Sequence, residues 1–302
     1  MTSRSSPSRI PMRALGIDIG GGKVRAGAGS PEAAPAVYAT PKSAEELIAL
    51  IRRLFEEARR PDLLGVGVPG VPDTRSGVIR RSVNLPWLEG FPLRKRLEEV
   101  VGPPEKGIKH PRLLLDSDVN VATWAQWEAC GFPARFVYLS IGTGVGGGVV
   151  LKGDVVRHTN GGAGHFGFLL TDPRQDAAAL EGDAPGSLSA CVAAFCQGQR
   201  DVTTRPYAAR AIAIGAAQIA RIYDPDVIAV GGGALDHDDA LFPEIERQIP
   251  LWRGGVVGCH YEVRRAPLSS DQAGVTGAVA MALHAWELAV GHRFPRSGHI
   301  VD

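Results

Sequence analysis

Hydrophobic and polar positions fall into short apolar runs closed by glycine-rich turns, alternating with longer stretches of helical period. Ala14-Leu15-Gly16-Ile17-Asp18 is an apolar run that ends in a carboxylate; three glycines follow, and Lys23 to Ala28 can return as a second strand. The segment predicts a β-hairpin with a glycine tip. From Ser43 to Arg60 the apolar residues Leu47, Ile48, Ile51, Leu54 and Phe55 recur at helical spacing, and Ser43 with Glu46 reads as a capping box. Strands are predicted at Leu64 to Val68 and at Arg112 to Leu115, and a helix from about Val119 to Cys130. This alternation is that of an α/β domain.

The second half repeats the pattern. Arg135 to Ile141 predicts a strand, a glycine-rich tip follows, and Gly148-Val149-Val150-Leu151 returns before the turn Lys152-Gly153-Asp154. A long loop or lid is expected from about Thr171 to Ser187, then helices, notably Tyr207 to Tyr223. The strand Val227 to Val230 runs into Gly231-Gly232-Gly233, and the chain closes with a strand near Tyr261 to Arg264 and a helix from about Gln272 to Ala289. Two similar α/β halves place a ligand cleft between them.

With 302 residues and 44% hydrophobic content, two buried cores are expected. The 33 lysines and arginines nearly cancel the 32 aspartates and glutamates, so no global field favours nucleic acid or an anionic membrane as partner. A small ligand is the expected partner. Cys130, Cys191, Cys196 and Cys259 lack the C-x-x-C spacing of a zinc or redox motif and read as reduced thiols of a cytoplasmic protein. Residues 1–12 have no apolar signal-peptide core and read as a disordered leader. No apolar run reaches the ~18 residues of a membrane-spanning helix.

Three glycine clusters follow predicted strands: Gly20-Gly21-Gly22, Gly142-Thr143-Gly144-Val145-Gly146-Gly147-Gly148 and Gly231-Gly232-Gly233. Each alone is more often a tight turn, but glycine tips also let backbone N–H groups approach an anion. Three such clusters together point to phosphate. Gly142-x-Gly144-x-x-Gly147 matches the dinucleotide fingerprint in letters only, because a strand rather than a helix follows it, and no P-loop motif is present. Asp116-Ser117-Asp118-Val119-Asn120 sits at a predicted strand-to-helix junction. There an aspartate can serve as the base that phosphoryl transfer requires, or merely as a helix N-cap.

As an ordered set these segments resemble the ROK family of sugar kinases, in the hexokinase, actin and Hsp70 superfamily. Gly16 to Lys23 resembles its first phosphate motif, Leu139 to Gly148 its second, and Asp224 to Gly233 its adenosine motif. Gly67-Val68-Pro69-Gly70 and Asn84-Leu85-Pro86-Trp87 resemble its sugar-side loops, and Asp271 to Ala278 its last helix. The resemblance implies two ribonuclease-H-like (actin-like ATPase) domains around a central cleft. One would comprise residues 13–118 plus the helix 272–290, the other residues 119–271. It implies ATP and Mg²⁺ as cofactors, a sugar-like substrate and a homodimer.

By the same resemblance Asp118 is the catalytic base, and Asp18 positions Mg²⁺ directly or through water. Gly20, Gly21, Gly22, Lys23, Gly142, Thr143, Gly144 and Gly146 would hold phosphates, with Gly231, Gly232 and Gly233 at the adenosine. Pro69, Gly70, Asn84, Ser117 and His165 fall on the substrate side.

Departures gather on that side. His165 stands where the family has a sugar-binding Glu, Phe168 where it has a zinc-binding His, Ser189 where it has a further Glu and Ser117 where it often has Asn; in the first phosphate loop Gly22 stands where it usually has Thr. The cysteine-rich zinc loop is missing from Thr171 to Cys196, so no structural zinc is expected, and Phe168 is expected to fill the space that module leaves. These changes argue against plain glucose. The expectation is an ATP-dependent kinase of a sugar or cyclitol hydroxyl; the alternative is a related nucleotide- or sugar-binding protein without transfer activity. The family's repressors carry an N-terminal helix-turn-helix, for which the segment ahead of Arg13 is too short.

Overall fold

The first apolar run forms β1 (Ala14–Ile19), which turns through the glycine tip into β2 (Lys23–Gly27) and on to β3 (Ala36–Ala39). Helix α1 (Ala44–Glu57) then leads to β4 (Leu63–Val68), the short ribbon β5 (Val71–Pro72) and β6 (Ile79–Arg81), helix α2 (Leu93–Val101) and β7 (Leu113–Ser117). Helix α3 (Asp118–Ala129) starts where β7 ends and leads into β8 (Arg135–Ile141), β9 (Val145–Leu151) and β10 (Asp154–Val155). Next come α4 (Leu188–Cys196), α5 (Thr204–Tyr223), β11 (Val227–Gly231), α6 (Gly233–Asp236), α7 (Leu241–Arg253), β12 (Glu262–Arg265) and α8 (Ser270–Ala289). The computed structural model describes residues 12–30, 33–103, 112–157, 164–173, 186–253 and 260–289. Residues 1–11, most of the expected leader, lie outside the described residues.

Two five-stranded sheets carry the same topology, β3-β2-β1-β4-β7 and β10-β9-β8-β11-β12. In each, the central strand pairs antiparallel with the strand that follows it and parallel with a later one. The repeated module read from the sequence is therefore a repeat of the whole sheet. It sets the glycine tips after β1 and β8 at equivalent places, beyond the carboxyl ends of strands where open α/β sheets bind ligands.

Helices α1 and α2 cover one face of the first sheet, with Leu47, Ile51, Phe55, Leu93 and Leu97 against Ile17 and Val66. Helices α4, α5 and α7 cover the far face of the second sheet. Between the sheets lie α3 and α8, where Val121, Trp124 and Trp127 meet Ala278 and Met281, and Phe136 and Tyr138 of the second sheet. A helix apolar on all sides belongs in such an interior layer. Its polar Gln126 is satisfied there, since Nε2 donates to the Leu268 carbonyl at 2.7 Å and Oε1 accepts from the Leu268 N–H at 3.1 Å. The two helices touch backbone to backbone: a Cβ on Gly277 would stand 1.7 Å from the Val121 carbonyl oxygen.

The sequence reading holds for most elements, with differences that have local causes. The Ser43 hydroxyl caps α1 by accepting from Glu46 N–H, but Glu46 Oε2 accepts from Lys42 N–H rather than from Ser43, a displaced version of the capping box. Strand β9 begins at Val145, three residues before the expected Gly148. Gly147 and Gly148 belong to the strand because Phe166 and Thr123 pack where their side chains would stand, at 2.5 and 2.3 Å from an added Cβ. Most of the loop expected from Thr171 to Ser187 lies outside the described residues; its ends meet where Leu170 bridges Ser187. Cys130, Cys191 and Cys196 are free thiols, while Cys259 lies outside the described residues. Among the described residues no helix is long and apolar enough to cross a membrane.

Candidate functional site

The cleft is built at the junction of β7 and α3. Ser117 is the N-cap of α3, and its hydroxyl oxygen accepts from Asn120 N–H at 3.3 Å. Asp118 is therefore the first helical residue and not the cap, which leaves its carboxylate available at the cleft wall, with Oδ1 accepting from Val119 N–H at 2.8 Å. Burial first, and the negative charge of Asp18 second, push the Asp118 carboxyl up to about 7. Asp18, buried at the end of β1, is raised to about 6 by burial, against the pull of Arg25 and with a push from Asp271. The two carboxylates are brought together across β4 at Gly67. A Cβ there would lie 3.3 Å from the Asp118 Cα and 3.6 Å from Asp18 Oδ1, so any side chain would wedge between them.

A cavity of about 370 Å³ opens beside Asp118. One wall is the second glycine loop, with Gly142, Thr143, Gly144 and Gly146. No protein atom beyond the loop itself stands within 4 Å of a Cβ built on Gly142 or Gly144, and Gly142 N–H donates to the Gly144 carbonyl at 2.9 Å to close the turn. The opposite wall carries Gly70, Thr74, Asn84, Ser117 and Asn120, and Arg157 and His165 complete the site. Of the sequence-predicted residues, Asp118, Gly142, Thr143, Gly144, Gly146, Gly70, Asn84, Ser117 and His165 thus share one cavity.

The remaining predicted residues are not among those that line it. In the first glycine tip the Gly20 N–H donates to the Lys23 carbonyl at 2.8 Å, and Thr40 ties down both the Gly20 and Gly22 carbonyls. Gly21 faces Asn84, whose Cβ lies 3.2 Å from a Cβ built on the glycine, while Gly22 meets nothing and Lys23 is exposed. Pro69 does not line the cavity; its carbonyl accepts from the Ser82 hydroxyl at 2.5 Å. Gly231 ends β11, Gly232 packs on the backbone of Ile141 at the root of the second loop, and Gly233 opens α6 with free space before it.

Five residues outside the predicted set frame the site: Asp116, Asn120, Arg157, Arg25 and Ser189. Asp116 is buried and satisfied throughout: Oδ1 accepts from Ser117 N–H and Asn120 Nδ2, each at 2.8 Å, and Oδ2 accepts from Arg157 Nε at 2.6 Å. Arg25, directly across from Asp18 on β2, lies 3.6 Å from its Oδ2 and is also bonded to Asp271. The Ser189 hydroxyl accepts from Val145 N–H at 3.3 Å and braces the second glycine loop from α4. Asp116 and Asn120 were visible in the Asp-Ser-Asp-Val-Asn string. Arg157 had no local signal, because its partner is 41 residues away.

Phe168 corrects the sequence reading. It is 62% exposed and stands beside the exposed His165, with ring centroids 6.3 Å apart, so it fills no interior space. Among the described residues no group of three or more His, Cys, Asp or Glu side chains converges as a metal cage.

Paired sheets of this topology, glycine tips at equivalent ends and a cleft between them define the actin-like ATPase fold. The chain matches the ROK family over residues 14–198 and 189–285 and belongs to it. It is 27% identical over 271 residues to a glucokinase of Halalkalibacterium halodurans, an alignment covering 76% of this chain and 79% of that one. The crystal structure of a ROK hexokinase from Thermus thermophilus superposes with a TM-score of 0.73 at 28% identity, covering 90% of this chain and 98% of that one. A ROK family transcriptional regulator, a homolog of the E. coli MLC protein, shares the fold with a TM-score of 0.72 at 16% identity, over 91% of this chain and 79% of that one. The fold alone therefore does not fix the activity.

Proposed function

We propose that the protein transfers the γ-phosphoryl group of ATP to a hydroxyl of a sugar or sugar-like alcohol, with Asp118 as general base. The observation that carries this reading is that Asp118 and the glycine loop Gly142 to Gly146 line one cavity. Likeness to a glucokinase and to a ROK hexokinase supports the reaction class.

In this reading the second glycine loop holds the distal phosphates through backbone N–H groups, and the first loop closes on them from the other sheet. Gly231 to Gly233 receive the adenosine. The acceptor hydroxyl gives its proton to the Asp118 carboxylate as its oxygen attacks the γ-phosphorus, and the β–γ bridging bond breaks with its electrons passing to ADP. A carboxyl that titrates near neutrality, about 7 here, suits a base working at neutral pH. Asp18, with Arg25 3.6 Å from its Oδ2, offers a buried carboxylate near Asp118. This fits a hard divalent cation that keeps its waters and is shared with phosphates. Mg²⁺ bound there would supply charge neutralisation on the transferring group.

The test is acceptor-dependent ADP release across sugars, amino sugars and cyclitols, run beside ligand-induced shifts in melting temperature. The kinase reading expects release with at least one acceptor. Stabilisation by nucleotide and sugar with no release from any acceptor identifies the binding protein without transfer activity instead.

A further inference from the structure

The acceptor end of the cleft carries a cation, Arg157, beside its carboxylates. Of its two carboxylates, Asp118 is assigned as the base, and each oxygen of Asp116 already accepts a hydrogen bond, Oδ1 from Ser117 and Asn120 and Oδ2 from Arg157. Arg157 spends only Nε on Asp116; its side chain is 38% exposed and lines the cleft, and neither Nη group bonds to any described residue. What it presents to a ligand is therefore the Nη1/Nη2 edge of a guanidinium whose orientation is fixed by a buried anion. That edge matches a carboxylate in a two-point fork. Thr74, Asn84 and His165 add further groups able to donate.

A carboxylate on the acceptor would meet that edge with two charge-assisted hydrogen bonds, stronger than the neutral bonds a hydroxyl would make there. We propose, building on the phosphoryl-transfer reading, that the acceptor alcohol also bears a carboxylate seated on the Nη edge of Arg157, so that the substrate class is sugar acids and not neutral hexoses. Asp116 then acts as a positioning residue, holding the guanidinium in place without touching the substrate.

The experiment measures kcat/KM for ADP release with matched pairs, glucuronate against glucose and galacturonate against galactose, in the wild-type protein and in Arg157→Gln and Arg157→Lys. Each pair is compared within one protein, so losses of folded material cancel. The wild type is expected to favour the acid by about 10- to 100-fold, the range of one charge-assisted pair. Arg157→Gln should collapse that ratio towards one, and Arg157→Lys should restore part of it. Preference for the neutral sugars, or a ratio unchanged in Arg157→Gln, overturns the proposal while leaving the kinase reading intact. If no acceptor yields ADP, the kinase reading fails separately, and melting of the ATP-loaded protein decides the carboxylate site. A shift with glucuronate that is absent with glucose and lost in Arg157→Gln supports the site, and no shift overturns it.

Discussion

Asp118 carries a conflict that two measurements can expose. Its folded-state carboxyl titrates near 7, above the ordinary 3.8. Between those values the folded protein holds a proton that the unfolded chain releases, so stability falls as pH rises through this window. Asp118→Asn removes the buried charge. It should melt at a higher temperature than wild type at pH 8, with the gap closing towards pH 4, as followed by thermal denaturation across pH. Activity should run the opposite way, with kcat/KM rising with pH to an inflection near 7 as the base loses its proton. An inflection near 4 would mean that Asp118 is an ordinary exposed carboxylate. At the neighbouring loop, Ser189→Ala deletes the acceptor of Val145 N–H. A neutral hydrogen bond of this kind is worth about 1 kcal/mol, so nucleotide affinity by calorimetry should fall about fivefold.

At the scale of elements, strands and long helices were legible because their signals are local. Apolar runs ending in glycine gave β1, β8 and β11, and helical spacing gave α1. The ribbon β5–β6, strand β3 and helices α2, α4 and α7 were not read. β3 is largely exposed and lacks an apolar stripe, and α7 contains Pro250, which reads as a breaker although the helix runs through it. The string at Asp116 to Asn120 was legible for the same local reason and Ser189 through the family resemblance, whereas Arg157 joins the site only through a contact 41 residues away. Close approach of α8 to α3 is equally non-local, and it makes a sharp prediction. Gly277→Ala forces a methyl group against the Val121 carbonyl and should cost about 2 kcal/mol or more in chemical denaturation, whereas Gly22→Ala, which meets nothing, should stay within about 0.5 kcal/mol.

At the scale of the whole molecule, the layer of α3 and α8 is shared by both sheets, and Asp116 at the end of β7 reaches Arg157 beyond β10. Each half has its own apolar cluster, but the shared layer couples the two, so calorimetry should record one cooperative unfolding transition, with calorimetric and van't Hoff enthalpies in agreement. Two resolved transitions would mean that the halves are energetically independent. The same layer places Asp118 from one junction in one cavity with a glycine loop from another, and the proposed function depends on that juxtaposition. The most direct test is steady-state ADP release by wild type and Asp118→Asn on an active acceptor, with Mg·ATP affinity measured on both proteins. The account predicts a fall in kcat of about 10²- to 10⁴-fold with nucleotide affinity nearly unchanged. Equal turnover in the two proteins would contradict it.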